Sequence, residues 1–277
     1  MAASHKHIFY PLTFTELFNM WNRFPKAQLY AGGTGIIARQ GKNILALPDV
    51  TISLEKLSEL MHITRTEHYL EIGPMVNLNR IIRLGKIVPA ALCACLESIG
   101  GVQLRNIATI GGNICYRGTL KDMSAPLTAL DAQYELRNTA SSRWVAAARF
   151  HSTGDHTELK DQEMLTRIRL PLHRWDYSIY KKFHSEDKLR TKALVFLARS
   201  QKDFLTDIRV VYKDNTILRN KNAESILTGK HLPLSHKPAS DFIENWREFL
   251  DNSKEINEFS KYELIKYIEI NINNLTE

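Results

Sequence analysis

The sequence predicts a mixed chain of helices and strands divided into about two domains, and three observations carry that expectation. A strand-like run enters a glycine segment near residue 30, and a second glycine segment stands near residue 111. Between 177 and 219 four strand-like segments follow one another, and three helical ones complete the chain. The 277 residues are 44% hydrophobic and 24% charged, enough apolar material for a packed core, which excludes the disordered and fibrous classes.

Taken in order, Thr13 and Glu16 have capping-box spacing ahead of Leu17, Phe18, Trp21 and Phe24, so a helix is expected over 14–24, stopped at Pro25. AQLYAGGTG at 27–35 reads as a short strand running into glycines, followed by helical IIARQ and a second short strand around NILAL at 43–47. HITRTEHYLEIG at 62–73 alternates around a polar turn at Thr66–His68 and predicts a hairpin. NLNRIIRLG and PAALCACLESIG have helical spacing, with Pro89 at a helix start. VQLRNIATIGGNI at 102–114 reads as a β-rich run before Gly-Gly, and DMSAPLTALDA as a helix with Asp122 as its N-cap. EMLTRIRLP at 163–171 is a strand that closes the first module, and a domain boundary is placed near 173–176. DYSIYKKF, ALVFLARS, FLTDIRVVY and NTILR then read as an antiparallel meander turning at Asp214-Asn215. The last helices are AESILTG, capped by Asn222 and ended by Gly229, DFIENWREFL, capped by Ser240, and KYELIKYIEINI.

Charge is uneven. The net charge is +7, yet residues 181–240 hold 13 basic and 6 acidic side chains while 241–277 hold 4 and 9. The densest run, KKFHSEDKLRTK at 181–192, carries a single aromatic residue, so it suits a solvated surface or an anionic cofactor or partner and not a nucleic-acid platform. The longest strictly apolar stretch, Val88 to Leu96, is about half of the roughly 20 residues a membrane helix needs, and no secretory apolar region opens the chain. A cytoplasmic protein without a membrane span is the expectation. Cys93, Cys95 and Cys115 form no CxxC pair, which argues against a disulfide framework and against a self-contained zinc or iron–sulfur site.

The two glycine segments are Ala31-Gly32-Gly33-Thr34-Gly35 and Thr109-Ile110-Gly111-Gly112-Asn113. Backbone without side chains lets N–H groups approach an anion such as a pyrophosphate, with Thr34, Thr109 and Asn113 adding side-chain donors. Neither is a dinucleotide-binding GxGxxG or a P-loop motif, and each alone is better explained as a tight turn than as a phosphate cradle. The pair is the stronger signal.

LYAGGTGI at 29–36, VQLRNIATIGGNI at 102–114, Asp122 nine positions after Asn113, LTALDA at 127–132 and EMLTRIRLP resemble the FAD-binding medium subunit of the xanthine dehydrogenase and carbon monoxide dehydrogenase type of molybdenum hydroxylase. LTGKHLPLS at 227–235 and YELIKYI at 262–268 resemble its C-terminal domain. The resemblance implies an α+β fold: a two-lobed FAD-binding domain (PCMH-type) over 1–174, with lobes of about 1–60 and 61–174, and a smaller domain of antiparallel sheet plus helices over 175–277. It implies that Leu29, Tyr30, Ala31, Gly32, Gly33, Thr34, Gly35 and Ile36 form one side of the FAD site and the Thr109–Asn113 segment the other, the two holding the two phosphates. Ile110 would pack near the flavin, Asp122 would accept hydrogen bonds from cofactor hydroxyls, and Ile99 and Leu165 would line the cofactor. Lys181 and Lys182 stand where the family carries a basic residue near the flavin.

Three departures surround the expected flavin edge. Gly35 replaces an acidic or serine residue, Cys115 to Thr119 replace small residues ending in Ser-Pro, and Ser185-Glu186 replace an arginine pair. The implied function is transfer of electrons from [2Fe–2S] clusters of an iron–sulfur subunit through FAD to NAD or another acceptor, with hydroxylation on a molybdopterin-binding subunit. Two other readings stay open: a scaffold subunit that has lost FAD, and a stand-alone FAD-dependent reductase. No catalytic residue and no metal ligand is assigned.

Overall fold

The computed structural model describes residues 6–40, 48–116, 121–152, 158–184 and 191–276. In the first lobe β1 (His7–Phe9), β2 (Gln28–Tyr30) and β3 (Val50–Ser53) pair in parallel in the order β1-β3-β2. The expected first helix is α1 (Phe14–Arg23). The Thr13 hydroxyl accepts from the Glu16 N–H at 3.2 Å, and the Glu16 carboxylate accepts from the Leu12 N–H at 2.8 Å, so two of the unpartnered donors at the helix start are satisfied. Leu17, Phe18 and Trp21 pack with Ile52, Leu57 and Leu60. Helix α2 (Thr34–Gln40) leaves β2 through the glycines. The strand expected around 43–47 lies outside the described residues. Strands β1 and β3 carried no readable signal, because both are short and β3 buries Thr51 and Ser53 on either side of Ile52.

The second lobe is an antiparallel sheet of β4 (Ile63–Arg65), β5 (Tyr69–Ile72), β6 (Gln133–Arg137), β7 (Ser142–Ala146) and β8 (Met164–Pro171), in the order β4-β5-β8-β6-β7. The hairpin β4–β5 turns where expected, with the Thr66 hydroxyl and the Tyr69 backbone bonded to each other. Helices α3 (Leu78–Ile82), α4 (Ala90–Glu97), α6 (Ile110–Ile114), α7 (Ser124–Ala129) and α8 (Ala147–Phe150) supply Leu78, Ile81, Leu92, Leu96, Ile110, Leu127 and Phe150 to its core, while α5 (Val102–Ile107) buries none of its residues.

Two expectations are overturned here. Residues 102–107 are a helix and not a β-rich run. Val102, Leu104 and Ile107 face solvent instead of a neighbouring strand, and Arg105 reaches back from the helix to the carbonyls of Glu97, Ile99 and Gly100. A paired conformation thus has nothing to bury, whereas the helical one satisfies the carbonyls at the end of α4. Asp122 is not an N-cap: Met123 occupies the cap position of α7, and the Asp122 carboxylate goes to Lys182 instead.

The C-terminal part is the expected meander, β9 (Tyr177–Phe183), β10 (Lys192–Gln201), β11 (Phe204–Lys213) and β12 (Ile217–Arg219), in the order β12-β11-β10-β9. Its central strands are covered on both faces. Val195, Leu197 and Val211 join the core of the second lobe, while Leu194, Phe196, Val210 and Tyr212 pack with helices α9 (Lys221–Leu227), α10 (His236–Asp251) and α11 (Glu258–Asn273). Two caps differ from expectation. Asn220, and not Asn222, accepts from the Ala223 N–H, and α10 starts a turn earlier than Ser240, at Ser235, with Pro238 in its first turn, where a missing N–H breaks no intrahelical bond.

Candidate functional site

The AGGTG segment lies with Gly32 against the backbone at the end of α5. A Cβ on Gly32 would lie 2.1 Å from the Ile107 carbonyl oxygen, closer than any side-chain carbon approaches, so only glycine lets β2 dock there. Gly33 has φ +69°, the left-handed region that turns the chain from β2 into α2. Among the described residues no backbone acceptor is bonded by the N–H groups of Thr34, Gly35 or Ile36, the first of α2. Such leading helix donors are satisfied by side chains, water or a ligand.

The TIGGN segment is built differently. Thr109 caps α6, its hydroxyl accepting from the Gly112 N–H at 3.0 Å. Three further N–H groups are bonded within the fold: Ile110 donates to the Val76 carbonyl, Gly111 to Pro74 and Asn113 to Thr109. Gly111 is required by packing, since a Cβ there would meet Pro74 at 2.4 Å. Gly112 is exposed and would meet only the Thr109 hydroxyl, at 2.9 Å. Beside it the Asn113 Oδ1 is buried with no hydrogen-bond partner among the described residues. A buried acceptor left unpaired is unfavourable by about 1–3 kcal/mol and is the position a ligand N–H or hydroxyl would satisfy.

From β9 the Lys182 ammonium donates to the Asp122 carboxylate of the second lobe at 2.8 Å. Strand alternation separates the two candidate lysines. Lys182 turns toward the second lobe, and Lys181 turns to the other face, its ammonium 5.1 Å from the Tyr267 ring centroid. Lys213, almost fully buried in β11, donates to the backbone carbonyl of Thr191, and burial lowers its pKa to about 8. The Cys95 thiol and the Tyr180 hydroxyl lie near this group, both pushed up by burial. Nothing in the sequence pattern of Lys213 or Cys95 pointed to this neighbourhood.

The other expected residues divide. Tyr30 lies over Gly33, since a Cβ there would meet its hydroxyl at 2.0 Å, and Leu29 pairs with Ile52 against the first core. Ala31 and Ile36 are half-buried along the segment, and Ile99 packs half-buried on the second core. Ile110 and Leu165 are inside that core, where packing accounts for them.

The family described as the FAD-binding domain in molybdopterin dehydrogenase matches residues 4–173. The chain belongs to that family, and FAD is its cofactor. It is 31% identical over 163 residues to a xanthine dehydrogenase FAD-binding subunit of Escherichia coli O157:H7, covering 57% of this chain and 55% of that protein, so the match spans about half the relative's length. To the carbon monoxide dehydrogenase medium chain of Afipia carboxidovorans it is 29% identical over 222 residues, covering 78% and 75%. The fold matches carbon monoxide dehydrogenase from Hydrogenophaga pseudoflava with a TM-score of 0.83 at 20% identity, covering 98% of this chain and 97% of that one. Quinoline 2-oxidoreductase from Pseudomonas putida 86 follows at 0.78, 22% identity and 98% and 96% coverage. The residues fit the cofactor: among the described residues the N–H groups of Thr34, Gly35 and Ile36 have no backbone acceptor and answer an anionic group, and the Asn113 oxygen has no partner and answers a donor.

Proposed function

We propose that this chain is the FAD-binding electron-transfer subunit of a molybdenum hydroxylase-type oxidoreductase, with residues 1–174 holding the cofactor and 175–277 packing against them. When bound, FAD exchanges electrons singly with iron–sulfur clusters and in pairs with an acceptor such as NAD. The observation that carries the reading is the set of donors and acceptors on the two glycine segments. The AGGTG segment offers N–H donors to a diphosphate, exposed Gly112 leaves the TIGGN segment bare for close approach, and Asn113 and Asp122 offer acceptors to cofactor hydroxyls or N–H groups. Lys182 pairs with Asp122 from the C-terminal sheet.

The clusters belong on a partner subunit in this reading. A [2Fe–2S] centre takes four thiolates, and burial raises the pKa of both Cys93 and Cys95, which disfavours the thiolate form. Hydroxylation belongs on a molybdopterin-binding subunit. Among the described residues no helix is long and apolar enough to cross a membrane, and a cytoplasmic location is part of the proposal.

Purification from the source cell followed by native mass spectrometry and a visible spectrum tests the reading. The expected result is a complex containing flavin, iron and molybdenum whose flavin is bleached by substrate only when all subunits are present. A flavin-free chain in that complex favours the scaffold alternative. An FAD-loaded homo-oligomer that turns over a small substrate alone would overturn the assignment in favour of the stand-alone reductase.

A further inference from the structure

An aromatic ring and two cations, none with a role in the site described above, converge on the AGGTG segment. A Cβ on Gly35 would lie 2.5 Å from Cε2 and 2.6 Å from Cδ2 of Tyr116. The ring therefore rests on bare backbone, and only glycine at 35 leaves room for it. Over the same ring lie the Lys121 ammonium, 4.1 Å from the centroid, and the Arg39 guanidinium, 5.2 Å from it. The two cations come from separate elements, Arg39 from the last turn of α2 and Lys121 from the segment before α7. An aromatic face attracts each by about 0.5–1 kcal/mol at an exposed site. It places two positive charges beside the glycine segment, where the N–H groups of Thr34, Gly35 and Ile36 bond no backbone acceptor among the described residues. An anion placed there is attracted by both charges.

We propose that Tyr116 is an additional cofactor-binding residue of this chain, holding Arg39 and Lys121 beside the glycine segment as a cationic clamp for the diphosphate of the dinucleotide. The proposal rests on the FAD reading above. It also joins two departures of the sequence from its family: the large residue at 116 requires the missing side chain at 35.

The test titrates the apoprotein with FAD over a series of KCl concentrations, with flavin fluorescence reporting Kd. For the wild type, affinity falls steeply as salt screens the clamp. Tyr116→Ala raises the low-salt Kd roughly tenfold, as for loss of one charge-assisted contact, and flattens the salt dependence. Tyr116→Phe behaves as wild type, because the ring and not the hydroxyl holds the cations. Lys121→Gln and Arg39→Gln, which leave the ring in place, each flatten the dependence in part. Gly35→Ser displaces the ring and reproduces Tyr116→Ala, and the double variant is no weaker than either single one, because both remove the same contact.

Wild-type affinity or tighter binding in Tyr116→Ala would mean that the ring only covers the loop, and an unchanged salt dependence in the glutamine variants would equally overturn the clamp. If Tyr116→Ala does not fold, the glutamine variants decide. A wild-type chain with no FAD affinity at any salt concentration overturns the flavin reading itself, whereas tight wild-type binding with unaffected variants overturns the clamp alone.

Discussion

The AGGTG and TIGGN segments look alike as text and differ as structure. The first is a turn with a left-handed glycine, and its N–H groups stay open among the described residues. The second is the start of a short helix whose N–H groups at 110–113 are bonded within the fold, two of them by carbonyls of the Pro74–Val76 turn. One segment therefore offers donors, and the other offers a bare surface and the Asn113 oxygen, unpaired among the described residues. A glycine pair marks close approach of backbone, but what approaches it, another strand or a ligand, is set by its surroundings.

That comparison can be broken by exchanging the glycines' roles. The largest effect is expected at the packing glycines. Gly111→Val drives a branched side chain into Pro74, and Gly32→Val drives one into the Ile107 carbonyl, each destabilising by roughly 3 kcal/mol or more in denaturant unfolding. Gly112→Val should separate binding from folding. It keeps a cooperative unfolding transition, with a loss of about 1 kcal/mol from disturbing the Thr109 cap, yet retains no flavin after gel filtration. Full flavin occupancy in a folded Gly112→Val protein would show that this segment does not meet the cofactor.

Lys213 tests the neighbouring residues through pH. Its pKa is lowered to about 8 in the folded chain, against roughly 10.4 when unfolded, so between these values the unfolded state binds more protons. Stability then rises with pH across that window, by about 1.4 kcal/mol per pH unit at most, and falls again on return to pH 8. Lys213→Met should abolish the slope in urea titrations, and an unchanged slope would assign it to another group. Asp122→Ala weakens FAD binding by about 1.5–3 kcal/mol through loss of a charged acceptor. Its effect on stability is small, because Lys182 is more than a third exposed and its ion pair is screened by solvent. A large stability loss with unchanged FAD affinity would make Asp122 a structural residue. The smallest effect is Thr109→Ala, about 1 kcal/mol of stability from the lost cap, read as a shift in the urea midpoint.

The sequence by itself determined what depends on neighbours a few residues away. The Thr13–Glu16 cap, the Thr66 turn, the meander and the helical spacing of 90–97 are interactions at short separation or at fixed period, and the residue types of the site, glycines with threonine, asparagine and aspartate, were legible for the same reason. Tertiary structure decided which group each of those residues meets. The 102–107 run became a helix because Arg105 finds its acceptors at the end of α4 and no strand lies alongside. Asp122 left its expected cap for Lys182, and Lys182 was separated from Lys181, because strand β9 presents one lysine to each of two different cores. The N–H groups of 110 and 111 were committed by carbonyls of Val76 and Pro74, far away in the chain. Local spacing fixes which groups a segment carries, but a donor's partner across the fold depends on how the cores pack, and that geometry is written in no single stretch of sequence.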